Sequence, residues 1–433
     1  MTRRMTKKLI SVAMATAALA GWASPAAIAQ DVTLTYLTSQ GWALDAHLAL
    51  AEKFKAETGI TIDTQIVPAD QYYTVLRTKL NSGEGPDIFG GQSGKNTLVV
   101  DLNVEKNAVD LSAEPWAADL DPLVAEQATV NDKLYGLTYW DTLGLVWVVN
   151  YNKQVFAEHG IEIPTTYAQF EAAGQTLMAA GIQPVFEPVA DGWHHVLWFG
   201  ELGPAYEAAT PGLAEALNAN QATFSGNAQM LANLTQLKQM YDGGFLGENA
   251  LADSFAEAPA KLVAGEVAMV VAPLAYAATI QNDMPEADPA NIGVFLMPLA
   301  DNQILNVNPG GPTMFIYSGS PNIDAAKQYF TWLTKPENLQ FFIDSSPEVL
   351  TLPFASVERT KFTAEQQAFM DSYQDQRGIV YQTAVNYINS QWMEIGKDIT
   401  AMFTDAMTPE QVLESIDRRR TDLARAARDP AWQ

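Results

Sequence analysis

The stretch Leu134–Leu177, LYGLTYWDTLGLVWVVNYNKQVFAEHGIEIPTTYAQFEAAGQTL, decides how this chain is read. A Trp140-Asp141 pair leads into the apolar run Gly144–Val149, short enough for a strand covered on both faces, and Asn150 and Asn152 are expected to stop it with turn chemistry. Beyond Pro164, Thr166 with Gln169 three positions on reads as a capping box. Tyr167, Phe170, Ala173, Leu177 and Ala180 then form one apolar stripe, closed by Gly181. A buried strand that passes through a polar turn into an amphipathic helix points to an α/β domain with a binding cleft at the strand ends.

The same alternation opens the chain. Asp31–Leu37 and Ile60–Val67 read as strands, Leu44–Ala56 and Tyr72–Leu80 as helices, and Asp87–Phe89 as a third strand. Strand, helix, strand, helix, strand predicts a parallel sheet with right-handed crossovers, whose ligands bind beyond the carboxyl ends of the strands. The loops Thr38–Trp42 and Gly90–Lys95 become candidates by that position alone. Helices are expected near 227–241 and 254–264, then short strands at Val267–Val271 and Ile292–Leu296. Asn322 is expected to cap a helix bearing Ala325, Ala326, Tyr329, Phe330 and Leu333, and Thr363 and Thr408, each with Gln three positions on, cap later ones.

Gly136-Leu137-Thr138-Tyr139, Tyr151-Asn152-Lys153, Gly160-Ile161 and the helix start at Pro164-Thr165 occur together, and five further stretches follow the same order. They are Asn81–Phe89 (NSGEGPDIF), Gly265–Met269 (GEVAM), Ile292–Leu299 (IGVFLMPL), Asn308–Gly311 (NPGG) and Ser320–Leu333 (SPNIDAAKQYFTWL). In this the chain resembles the extracellular solute-binding proteins of the type 1, sugar-binding family, over nearly its whole mature length. The resemblance implies a two-lobed periplasmic binding protein fold of type II, α/β, with a hinge between two mixed-sheet lobes. It places about 31–139 and 310–345 in the first lobe, about 140–309 and 346–433 in the second, and the hinge near Tyr139–Thr142 and Val307–Gly311. It also implies a monomer that delivers a small-molecule carbohydrate to the permease subunits of an ABC importer.

Arg3, Arg4, Lys7 and Lys8 precede an apolar run from Leu9 to about Ala20, and Ala27-Ile28-Ala29 offers a cleavage site, so residues 1–30 read as a secretory signal peptide. The run falls short of the ~20 apolar residues of a spanning helix, and the mature protein is expected to be soluble. The sequence contains no cysteine, which removes disulfides, thiolate metal sites, a cysteine nucleophile and a lipid-attachment cysteine, so a free periplasmic location is expected. Loss of the leader takes 25 Lys+Arg to 21 against 50 Asp+Glu, moving the formal charge from −25 to about −29. Nucleic acid and anionic membrane are poor partners for such a surface.

Catalytic constellations do not assemble. Gly90, Gly94 and Lys95 approach a phosphate-binding loop but are one residue short, with Asn96 where Ser or Thr belongs. His194 and His195 are adjacent and diverge on a strand or a helix, and only His47 and His159 occur elsewhere. Neither a metal nor a cofactor is expected, and the chain is not read as an enzyme. Two rival readings are a polyamine or other cation binder of the same fold, motivated by the acidic balance and by Asp141 beside Trp140, and a secreted glycoside-active enzyme.

A sugar offers C–H patches on its ring faces and hydroxyls at its rim, so its site needs flat apolar platforms with polar groups at their edges. Trp42, Trp140, Trp193 and Trp392 stand in loops or polar contexts and are the candidate platforms; by resemblance Trp392 occupies the place of an aromatic that stacks on sugar in maltose-type relatives. Trp147, Trp198 and Trp332 sit in apolar patterns and are assigned to the core. The polar candidates are Ser39, Gln40, Gln92, Ser93, Lys95, Asp141, His194, Asn308 and Arg377, with Gly310 and Gly311 at the hinge. After GEVAM the family commonly has an aromatic where this chain has Leu274, and Tyr276 is the expected substitute. Asp87 is expected to fix a turn.

Overall fold

The computed structural model describes residues 32–94, 97–140, 146–347, 349–356 and 361–433. The signal-peptide reading, Lys95 and Asp141 therefore lie outside the described residues. The strands in chain order are β1 Thr33–Ser39, β2 Thr61–Val67, β3 Ile88–Gln92, the hairpin β4 Thr129–Val130 and β5 Lys133–Leu134, β6 Gly136–Thr138, β7 Trp147–Asn152, β8 Gln183–Phe186, β9 Val267–Pro273, β10 Ile292–Phe295, β11 Leu305–Val307, β12 Pro312–Ile316 and β13 Arg377–Ile379. They form one five-stranded sheet, β2-β1-β3-β12-β6, and one four-stranded sheet, β10-β7-β9-β8. β11 pairs in parallel with β13 alone.

In the first sheet β1 runs parallel to both β2 and β3, as the strand–helix alternation requires. β12, which arrives from much later in the chain, enters antiparallel to β3 and β6. The crossover helix Asp45–Thr58 ends at Gly59, whose φ of 79° only glycine adopts without strain and whose N–H donates to Lys55 O at 2.8 Å. At its start the Leu44 N–H donates to His47 Nδ1 at 3.1 Å, so the His47 ring serves as the cap acceptor. Burial pushes the His47 pKa down to about 4, keeping that nitrogen free of a proton at neutral pH.

Phe89 of β3 and Phe315 of β12 stack at 5.3 Å with no exposed surface, each contributing about 2–3 kcal/mol by removal from water. Helices Ile323–Leu333 and Pro336–Ser345 cover the other face, and Val349, Leu352 and Phe354 join that core. Leu350 instead packs with Val146, Val148, Leu274 and Met370 against the second sheet. The first core holds Tyr139 and the second holds Val146, and the chain passes between them again at 308–311 and once more after Phe354 and before Met370.

Several local expectations change in the tertiary context. β7 runs on through Asn150, which is fully buried and whose amide nitrogen donates to Ala272 O across the strand pair at 3.0 Å. Asn152 acts as a helix cap instead, accepting from Val155 N. At Thr166 half of the box forms as read, with Thr166 Oγ1 accepting from Gln169 N at 3.3 Å, while the returning Gln169 Oε1 accepts from Thr165 N at 2.8 Å instead of from Thr166. The boxes at Thr363 and Thr408 form as read. Asn322 does not cap its helix: its amide donates to Asp87 Oδ1 at 3.0 Å. Asp87 also accepts from Thr35 N, Thr35 Oγ1 and Ser320 Oγ, tying β1 to the turn before that helix. Burial alone would raise its pKa, but these hydrogen bonds outweigh burial and hold the carboxylate below its ordinary value.

Candidate functional site

The carboxyl ends of β1 and β3 carry the first group of candidates. Ser39 closes β1 and is buried, while Gln40 is exposed and donates its N–H to Val67 O at 2.8 Å. The turn through Gly41, at φ 84°, brings Trp42 back over β3. There a Cβ on Gly90 would stand 3.2 Å from the indole, so the close approach depends on that glycine. Trp42 meets Tyr72 and Tyr73 edge-on at 5.2 and 6.2 Å. Trp140, at the end of the first sheet, lies parallel to the His47 ring, and Trp42 and Trp140 share a recess with Tyr36, Tyr139 and Pro312.

The second group belongs to the second sheet. Trp193 follows Gly192, whose φ is 75°, and is half-buried. Trp147 meets it at 5.7 Å and 63°. Trp392 donates its Nε1–H to Trp193 O at 3.1 Å, and its six-membered ring fills the space over Gly200 where a Cβ would approach to 2.5 Å. Asn306 of β11 holds the Trp147 backbone from both sides, accepting from its N–H at 3.0 Å and donating to its carbonyl at 2.7 Å. Trp147 is therefore half-exposed at a strand start beside Trp193 and not in the core to which its apolar run assigned it.

Ser93, Asn308, Gly310 and Gly311 come together at the crossing into β12. Ser93 N donates to Gly311 O and Gly311 N to Ser93 Oγ, each at 2.9 Å. Asn308 Oδ1 accepts from Gly310 N and from Thr383 Oγ1, the latter at 2.6 Å. Ser93 and Gly311 are thus occupied with each other at the edge of the first sheet, and Asn308 with Gly310 and Thr383. Gln92 N donates to the Tyr73 hydroxyl at 3.0 Å, and Asn389 Nδ2 reaches the same oxygen from the other half at 3.5 Å.

Three candidates stand elsewhere. His194 has no exposed surface: its Nδ1 lies 2.7 Å from Glu187 Oε1 and its Nε2 2.8 Å from Val271 O, so neither nitrogen is available to a ligand. Tyr276 is buried and stacks on Phe255 at 5.5 Å, inside an apolar cluster with Phe186 and Val270, and Leu274 is buried as well. Arg377 is exposed and donates to Met370 O at 2.7 Å. Trp116 and Trp198 are core residues, and Trp198 donates to Glu187 Oε2 at 2.7 Å.

Tyr73, Trp147, Thr383 and Asn389 were not among the sequence candidates. Tyr72 shares the buried face of its helix with Leu76 and Leu80 at i, i+4 spacing, which leaves Tyr73 half-buried beside it, but nothing local marks its meeting with Asn389. Among the described residues no group of three or more His, Asp or Glu is placed to hold a metal ion, and no helix is long and apolar enough to cross a membrane.

Two sheets, each with its own core, and indoles on both describe a two-part molecule. Residues 44–340 match the bacterial extracellular solute-binding protein family. The chain belongs to that family. Among its relatives, the osmoprotective compounds-binding protein of Synechocystis sp. is 28% identical over 209 residues, covering 45% of this solute-binding protein and 47% of that one. The match thus spans about half the length of that relative. A sugar transporter from Bacillus licheniformis solved with stachyose superposes with a TM-score of 0.75 at 16% identity, over 90% of this chain and 100% of that one. A chitin oligosaccharide binding protein superposes with a TM-score of 0.75 at 20% identity, over 91% and 99%. At such identities the superpositions establish the fold of this solute-binding protein: mixed α/β, two-lobed.

Proposed function

We propose that this protein is the carbohydrate-binding component of an ABC importer, taking a mono- to oligosaccharide or glycoside between its lobes and presenting it to permease subunits in the inner membrane. It acts as a monomer in the periplasm, released by cleavage of its leader, and makes or breaks no bond. The hinge between the lobes is proposed near Tyr139–Thr142 and Val307–Gly311, as the resemblance implies. The observation that carries the reading is the mutually fixed indole group Trp147, Trp193 and Trp392 on one half, with Trp42 and Trp140 on the other. Indole faces suit the C–H patches of sugar rings, and the Tyr73 hydroxyl and the Gln92 and Asn389 amides suit their hydroxyl rims. The stachyose in one structural relative and the chitin oligosaccharide named for another agree with this chemistry. Ligand bound by both lobes stabilises the closed arrangement by its extra affinity for that state.

A thermal-shift screen with stachyose, raffinose, chitooligosaccharides, maltooligosaccharides, polyols and polyamines tests the reading. A cognate saccharide at a hundredfold excess over Kd is expected to add about 2.7 kcal/mol of stability and raise the unfolding temperature accordingly. A shift with polyamines alone, or with no member of the panel, rejects the carbohydrate assignment.

A further inference from the structure

The geometry points to Glu187 and His194 as positioning residues that hold the Trp193–Trp392 wall from behind without touching the ligand. The inference rests on the carbohydrate reading and deepens it.

Glu187 and His194 are both wholly buried, and all four of their side-chain polar atoms are engaged. Val271 O can only accept, so His194 Nε2 carries a proton. Trp198 Nε1–H can only donate, so Glu187 Oε2 accepts. One further proton must then lie between Nδ1 and Oε1 at 2.7 Å, whichever atom owns it, and the pair is neutral as a unit. A neutral, fully bonded pair escapes the cost of a lone buried charge and has one geometry.

That geometry fixes the ring at the centre of the aromatic wall. The His194 imidazole lies 5.1 Å from Trp193, 6.4 Å from Trp147 and 5.1 Å from Phe255. Trp193 is the preceding residue, and its carbonyl receives the Trp392 indole N–H. Anchoring His194 to β9 through Val271 and to Glu187 therefore sets the Trp193 backbone, and through it the direction of Trp392. Glu187 and His194 have no exposed surface, whereas the indoles in front of them are half-exposed and form the surface open to a ligand.

A double-mutant cycle separates positioning from general damage. His194→Phe keeps a ring and removes both nitrogens. In the otherwise wild-type protein it is expected to weaken calorimetric saccharide affinity about tenfold, and in a Trp193→Ala background less than about twofold. Glu187→Gln should stay within about threefold of wild type, because its amide can donate to Nδ1 while its oxygen still accepts from Trp198. Equal loss in both backgrounds, or no loss in either, overturns the assignment. If His194→Phe does not fold, His194→Gln takes its place. A wild-type protein that binds no saccharide sinks the carbohydrate reading alone. Positioning is then read in the ligand-free protein by acrylamide quenching of Trp193, taken as the difference between each variant and its Trp193→Phe counterpart. About twofold stronger quenching in the His194 variant supports the role, and unchanged quenching overturns it.

Discussion

Replacing Trp193 with alanine is expected to weaken saccharide binding by about a hundredfold while the protein stays folded, since stacking that removes ~100 Å² of apolar surface from water is worth about 2.5 kcal/mol. Trp193 combines the features of a platform: it is half-buried, it follows a left-handed glycine that turns it outward, and its orientation is fixed by Trp147, His194 and Trp392. The side chain lies at the edge of its core cluster, so truncation costs only a part of a typical stability of about 5–15 kcal/mol. Trp392→Ala should cost at least about tenfold as well, and less than additively with Trp193→Ala, because the indole N–H of one residue anchors the carbonyl of the other. Isothermal titration checks both, with unfolding curves of the ligand-free variants measured separately. Unchanged affinity in Trp193→Ala removes the platform role.

The second large effect concerns stability and pH. Glu201 is wholly enclosed, its Oε2 has no hydrogen-bond partner among the described residues, and burial pushes its pKa up to about 8. It lies between Gly200, which carries the Trp392 ring, and Gly203, against which Tyr381 packs. In the unfolded chain the carboxyl ionises near 4.5, so between there and about 8 the folded protein binds the additional proton. Stability from this group is complete below pH 4.5, falls as pH rises through that window and levels off above about 8. At 1.36 kcal/mol per unit the loss is roughly 5 kcal/mol. Glu201→Gln removes the proton and with it the slope. Urea unfolding at pH 5 and pH 9 should show the variant losing several kcal/mol less than wild type between the two conditions. Parallel losses would show that Glu201 ionises as freely in the folded protein as in water.

What was legible in the sequence was what short-range rules determine. The capping boxes at Thr363 and Thr408 and the glycine stop at Gly59 depend on atoms within four or five residues, and they form as read. The strand–helix alternation over the first ninety residues gave the parallel strands β1, β2 and β3, because connection length and handedness leave few other arrangements. Asn150 was misread as a stop because what satisfies it is Ala272, on a strand that pairs only after folding. Trp147 sits in a run whose composition says burial, yet it opens its strand half-exposed, its backbone held by Asn306, 159 positions away. His194 looked like a site residue by standing next to Trp193, and Glu187 turns it inward. Tyr73 and Asn389, 316 positions apart, meet across the joint with no local mark of it. Val307–Gly311 reads as a glycine-containing hinge and Ser93 as a ligand candidate, but the mutual bonding of Ser93 and Gly311 follows only from the antiparallel entry of β12.

A ligand gripped between two lobes that close on it changes the distance between them. The sequence contains no cysteine, so two spin labels can be placed without background, at Thr78→Cys on the helix Ala69–Ser82 of the first lobe and Glu171→Cys on the helix Tyr167–Ala179 of the second, both exposed. The inter-label distance distribution is measured by double electron–electron resonance with and without a saccharide whose saturation is verified by calorimetry. Lobe closure collects the population at saturation into a narrower, shifted distribution. Identical distributions with the site fully occupied would contradict it.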